Sequence, residues 1–214
     1  LKNVVISNIV ATRASNPSSI TGIPGHNVEG VTLSNIRLNF MGSNPFHPDD
    51  KPVPELEKEY PDADLFGTLP TYGLYVRHVR DLTLSNVQLR YDDKFWRLLS
   101  TDDRKVTWSQ DGGPAQPSES GQAGHAVVCD DVQGMSIDGL RVRPSADGAA
   151  LLRFTNVRDT VIRGFLAPEG TKTFLEAVGT ENRNVTLLSN VLTNVPTPVS
   201  FLNGATAEQV AVKD

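Results

Sequence analysis

Apolar and polar positions alternate along this chain in short runs, and one run keeps returning. Val31-Thr32-Leu33-Ser34-Asn35-Ile36 recurs as Leu82-Thr83-Leu84-Ser85-Asn86-Val87 and as Val4-Val5-Ile6-Ser7-Asn8-Ile9. Met135-Ser136-Ile137-Asp138-Gly139-Leu140 is a looser copy, and Thr160-Val161-Ile162-Arg163-Gly164-Phe165 keeps the apolar pattern. Val185-Thr186-Leu187 starts in the same way but takes an extra residue, Leu188, before Ser189-Asn190-Val191, and Val210-Ala211-Val212 begins a last copy. The copies start at positions 4, 31, 82, 135, 160, 185 and 210, which defines a unit of about 25 residues, with about 26 more inserted in two of the units.

A second run precedes most copies: Gly73-Leu74-Tyr75-Val76, Ala126-Val127-Val128-Cys129 and Leu151-Leu152-Arg153-Phe154. Period-two alternation turns Leu74, Val76, Leu82 and Leu84 inward and Tyr75, Arg77 and Thr83 outward. No ten-residue stretch carries a helical stripe. Two or three short strands per unit, separated by bends, predict an all-β, parallel β-solenoid. A leucine-rich repeat is the rival at this period, but its asparagine comes one residue later and its return limb is helical. The repeated asparagine suits a bend, because it tolerates the left-handed conformation and hydrogen-bonds locally. Gly139 and Gly164 occupy the same slot, as a slot with positive φ would allow. Stacking predicts a buried ladder of Asn8, Asn35, Asn86 and Asn190, with a scaffold role.

Composition and charge remove several functions. The 214 residues are 38% apolar, enough for a core, and no stretch approaches the length of a membrane span. The sequence pI near 5.4 and the lack of a basic tract exclude a typical nucleic-acid binder. The single cysteine, Cys129, makes no internal disulfide; it falls on an inward position and reads as a small core residue. Between Phe40 and Pro70 seven acids face two lysines, a surplus equal to the whole net charge of −5. His26, His47 and His125 lack metal-ligand spacing, so no metal or cofactor is expected.

Val28-Glu29-Gly30-Val31-Thr32-Leu33-Ser34-Asn35-Ile36, the Gly25-His26 turn before it and Tyr72-Gly73-Leu74-Tyr75-Val76-Arg77-His78-Val79 resemble the later coils of family 28 glycoside hydrolases, the polygalacturonase-like, pectin-degrading enzymes. The resemblance implies a single-stranded right-handed parallel β-helix of about seven coils over residues 1–214, with loop insertions at about 39–71 and 91–123. It also implies inverting hydrolysis, in which one carboxylic acid protonates the leaving oxygen and carboxylates opposite activate water. The family's Asn-Thr-Asp and Arg-Ile-Lys motifs are absent. Gly124-His125-Ala126 and Asp130-Asp131 echo two other motifs, but in reversed order and within one coil. The expectation is therefore a C-terminal part of a larger pectin hydrolase, with no catalytic residue of its own and with upstream coils as a partner. Its role would be scaffold and, where its outer face borders the cleft, one wall for a galacturonan-type polysaccharide. An extracellular or periplasmic location follows from the resemblance. A non-catalytic polysaccharide-binding or adhesion β-helix, and a β-helix lyase or epimerase, are the alternatives.

Tyr72, Tyr75, Arg77 and His78 cluster on or beside one strand and are candidates for substrate binding, since an arginine fork suits a sugar carboxylate. The competing reading is a solvated ladder of cross-strand pairs, with Tyr75 beside Arg153. Asp130 stacks on Arg77 and Thr155, and Asp131 on His78 and Asn156, which predicts an outward Arg77–Asp130 ion pair and a bend at Asp131 rather than a carboxylate dyad. The insertions leave after Leu38 and Leu89, so they emerge side by side. The second holds Trp96 and Trp108, platforms for sugar rings or anchors for the loop. The acidic first insertion is expected to be solvated and to pack through Leu56, Tyr60, Leu65 and Phe66.

Overall fold

The computed structural model describes residues 1–40, 52–60, 62, 65–92, 124–145 and 148–213. Strands β1 (Lys2–Ala14), β2 (Ser18–Thr21), β3 (Val28–Phe40), β4 (Thr71–Tyr91), β5 (His125–Asp138) and β6 (Arg141–Val142) are followed by β7 (Leu152–Arg163), β8 (Thr173–Val178), β9 (Arg183–Leu188), β10 (Thr197–Leu202) and β11 (Val210–Lys213). The one described helical turn is a 3₁₀ turn at Ala207–Gln209. The eleven strands belong to one sheet, and every pairing between them is parallel. The protein is all-β.

The register reproduces the sequence repeat. Val4 pairs with Val31, Val31 with Leu82, Leu82 with Met135, Met135 with Thr160, Thr160 with Val185 and Val185 with Val210. The second run forms its own column, with Ile20, Val76, Cys129, Phe154, Ala177 and Phe201 side by side. Sterics explain why this register holds: a one-residue slip would send every inward side chain to the opposite face.

The long strands are bent at fixed places. β4 passes through positive φ at His78, Asp81 and Asn86, and β5 does so at Asp131 and Gly134. Each bend turns the chain while leaving the parallel pairing on both sides intact. Glycine suits the bend at Gly134, where φ is +73° and a Cβ would lie 2.7 Å from Asp81 Oδ1 and push that side chain aside. The predicted slot at Gly139 and Gly164 has φ +65° at both positions.

Leu74, Val76, Leu82, Leu84 and Cys129 are buried in the main apolar cluster, as the alternation predicts. Each large aliphatic side chain so buried contributes about 1.5–3 kcal/mol. The burial fades towards β1, which among the described residues pairs only with β3. Ile6 and Ile9 are each 41% exposed, whereas Leu84 and Val87 in the same columns are 1% exposed. Leu38 pairs with Leu89 and Phe40 with Tyr91, so both insertions leave from adjacent strands.

Two expectations about the bends need correction. The Asn8–Asn35–Asn86 ladder exists, with Asn35 Nδ2 donating to Asn8 Oδ1 at 3.2 Å and Asn86 Nδ2 to Asn35 Oδ1 at 3.0 Å, but it is exposed rather than buried. Bend side chains point away from the apolar column, which keeps their amides in water. Asn190 is not a member. Leu188 pairs with Arg163, so Ser189, at φ +50°, takes the slot next to Gly164. Asn190 instead accepts from Phe165 N–H and donates to Ile162 O.

Candidate functional site

Described residues of the first insertion cover the outer face of β4 and β5 around Tyr75, Arg77 and Val128. Val53 and Phe66 pack, with Leu69, onto Tyr75 and Val128, forming a second small apolar cluster outside the main one. Tyr60, expected to anchor this segment, is 83% exposed; Val53 and Leu69 do that work. We call residues 53–56 the strap. Tyr75 and Arg77 do point away from the main core, but at 2% and 1% exposure they meet the strap instead of solvent.

Arg77 is the centre of this arrangement. Its Nη1 donates to Val53 O at 2.7 Å and its Nη2 to Pro54 O at 2.8 Å, and Glu55 Oε1 lies 3.5 Å from Nη1. The guanidinium sits 5.1 Å from the Phe66 ring centroid and 5.7 Å from that of Tyr75, within cation–π range. Among the described residues, its buried Nε has no acceptor. Burial also pushes the Tyr75 hydroxyl well above its ordinary range, with Arg77 opposing the shift.

The predicted Arg77–Asp130 ion pair is not made, although the two residues are in register. Two carbonyls and a carboxylate on the strap offer the guanidinium fork a better set of acceptors than a single strand neighbour. Asp130 is left half-buried, and desolvation raises its carboxyl above the ordinary value despite the attraction of Arg77 and His78. Nor does Tyr75 neighbour Arg153: Val128 lies between them, and Arg153 pairs with Glu176.

His78 carries the bend at φ +52° and stands between two carboxylates. Its Nδ1 is 2.7 Å from Asp131 Oδ2, and its Nε2 is 3.1 Å from Glu55 Oε2. Asp131 is itself a bend residue, at φ +53°, and its Oδ1 accepts from Asn156 Nδ2 at 3.0 Å. Asn156 Oδ1 accepts from Arg158 Nη2 in turn. His78, Asp131 and Asn156 therefore form a ladder of polar bends parallel to the asparagine one. Its existence was implicit in the pairing of His78, Asp131 and Asn156 by repeat position; its cover was not. With both oxygens of Asp131 committed, the Asp130–Asp131 sequence is not arranged as a pair of free acids.

Tyr72 lies elsewhere. It is buried in the main cluster, packed edge-on against Phe40 and Tyr91, and its hydroxyl donates to Arg143 O at 2.8 Å and accepts from Arg143 N–H. Desolvation raises that hydroxyl's pKa strongly. Thus Tyr75, Arg77 and His78 come together under the strap, while Tyr72 does not join them. Trp96, Trp108 and His47 lie outside the described residues. His125 is buried, with Nδ1 2.7 Å from Ala150 O, and Cys129 is fully buried, its thiol pushed up by desolvation. Among the described residues no His, Cys, Asp and Glu side chains converge as a metal site would require, and no helix is long and apolar enough to cross a membrane.

Compared with protein-family models, curated proteins and solved structures, the chain matches none.

Proposed function

We propose that the chain forms about seven coils of a right-handed parallel β-helix and serves as the C-terminal scaffold of a family 28-like, pectin- or polygalacturonan-type glycoside hydrolase. The observation that carries this reading is the register of the repeat: seven phrases, starting at residues 4 to 210, stand side by side in one parallel sheet. Parallel strands spaced by one repeat unit, with a bend at the same slot in six of the seven phrases, are what stacked coils require. The polygalacturonase-like character rests on the resemblance of residues 28–36 and 72–79. A galacturonan-type substrate, further coils against β1 and an extracellular or periplasmic location belong to the same proposal.

In this reading the chain contributes no acid or base. The strap fills the outer face at Tyr75 and Arg77, so any wall it lends to a cleft lies beyond that patch. A non-catalytic polysaccharide-binding or adhesion β-helix, or a β-helix lyase or epimerase, is the second reading.

The test is a titration of the isotopically labelled chain with oligogalacturonate and, separately, with a neutral oligosaccharide, alongside an assay for new reducing ends. The proposal expects amide shifts with the uronate only and no new reducing ends. Equal shifts with the neutral sugar favour the second reading, the absence of shifts with either sugar removes the cleft wall and leaves the scaffold role alone, and hydrolysis by this chain overturns the proposal.

A further inference from the structure

The His78 ring is held from both sides by groups that, when ionised, only accept hydrogen bonds. Asp131 faces Nδ1 at 2.7 Å and Glu55 faces Nε2 at 3.1 Å. Each contact asks for a proton on the nitrogen it meets, and only the imidazolium carries both. A neutral ring satisfies one carboxylate and turns a lone pair towards the other.

The two carboxylates belong to different parts of the molecule. Asp131 is a bend residue of β5, whereas Glu55 belongs to the strap, which is a long way from β5 in sequence. The ring therefore joins the strap to the sheet. The charged groups around it are Glu55 from the strap, Asp130 and Asp131 from β5 and Arg77 from its own strand. On the other side, β2 brings only Ser18, Ser19, Ile20 and Thr21, and the turn after it carries His26 and passes the His78 carbonyl at Gly22.

We infer that His78 is a proton-operated clasp, which in its protonated form ties the strap to β5 through Glu55 and Asp131 and on losing a proton loosens the strap from Tyr75. The sign follows from the contacts. The clasp is closed while the ring is protonated and opens as pH rises through the titration of the ring. Arg77 keeps its grip on Val53 O and Pro54 O at any such pH, so the strap is loosened and not lost. This inference does not depend on the polysaccharide reading, because it concerns the cover and not what lies under it.

The test follows the strap by NMR. Nuclear Overhauser contacts from the Val53 methyls to the Tyr75 and Val128 side chains report closure, and the His78 ring resonances report protonation in the same sample. The expected result is a partial loss of contact intensity that shares the midpoint of the ring's own titration, since Arg77 still holds the strap. In His78→Gln and Glu55→Gln the intensity is lower at acid pH and flat across the range. Protection of the Val76 and Cys129 amides, buried in the main cluster, reports whether each variant is folded. If His78→Gln does not fold, Glu55→Gln decides, since Glu55 is partly exposed and lies outside the sheet. Contacts that stay constant through the ring titration, or a loss that persists unchanged in a folded variant, overturn the clasp.

Discussion

Two ladders of bends cross the same sheet, and their backbones are nearly the same. Asn8, Asn35 and Asn86 have φ between 51° and 57°, and His78, Asp131 and Asn156 have φ between 52° and 54°. Their chemistry differs because of what lies over them. The asparagine ladder faces water, with Asn86 donating to Asn35 and Asn35 to Asn8. The second ladder holds an imidazole and a carboxylate, and the strap closes over its β4 end through Glu55. A bend slot thus sets the backbone conformation, while the segment packed on it decides which side chains the slot can use.

The sharpest way to break this contrast is at Arg77. Arg77→Ala removes the donors for Val53 O and Pro54 O and takes away the guanidinium 3.5 Å from Glu55. Urea unfolding should show a loss of about 2–4 kcal/mol, less than for a fully buried pair because Glu55 is 41% exposed. A loss within 0.5 kcal/mol, roughly that of an ordinary surface change, would mean that the strap does not depend on Arg77.

On the asparagine ladder the effect should be smaller. Asn86→Leu forces a side chain without local hydrogen bonds into left-handed backbone and removes one exposed amide contact, a cost of about 1–2 kcal/mol by the same unfolding measurement. Asn86→Gly keeps the backbone conformation at ease and should remain within about 0.5 kcal/mol of the parent. If Asn86→Gly proves as costly as Asn86→Leu, the amide ladder matters more than the bend.

The smallest effect, and one that depends on pH, belongs to Asp130. Its raised carboxyl means that the folded chain holds the proton more tightly than the unfolded one. That contribution favours folding below the ordinary carboxyl value of 3.8 and is lost as pH rises through the folded value. Asp130→Asn should therefore give a small rise in Tm at neutral pH that vanishes in acid. A destabilised variant at neutral pH would show that the Arg77 charge outweighs desolvation at this carboxyl.

Much of the sheet was legible in the sequence because strand registry follows from short-range periodicity. The phrases at 4, 31, 82, 135, 160, 185 and 210 pair as their alignment requires, and Leu74, Val76, Leu82 and Leu84 are inward. The sequence pattern misplaces Asn190 because the extra residue before it mimics a shift of the slot, whereas the strand simply continues to Leu188 and Ser189 makes the bend. The candidate site was legible only in part. Pairing by repeat position put Asp131 beside His78, but no local pattern announces that Val53, Pro54 and Glu55 return to Arg77 across more than twenty residues.

The sequence by itself determined which residues share a column, which positions bend and which face of each strand is apolar. These properties are set by alternation and by the left-handed tolerance of Asn and Gly, both of which act within a few residues. Only the tertiary structure decided that an outward tyrosine and arginine are buried and that Glu55 and Asp131 grip one imidazole. That outcome depends on where a non-repeating segment finds apolar surface to cover and donors for its carbonyls, and periodicity carries no information about it.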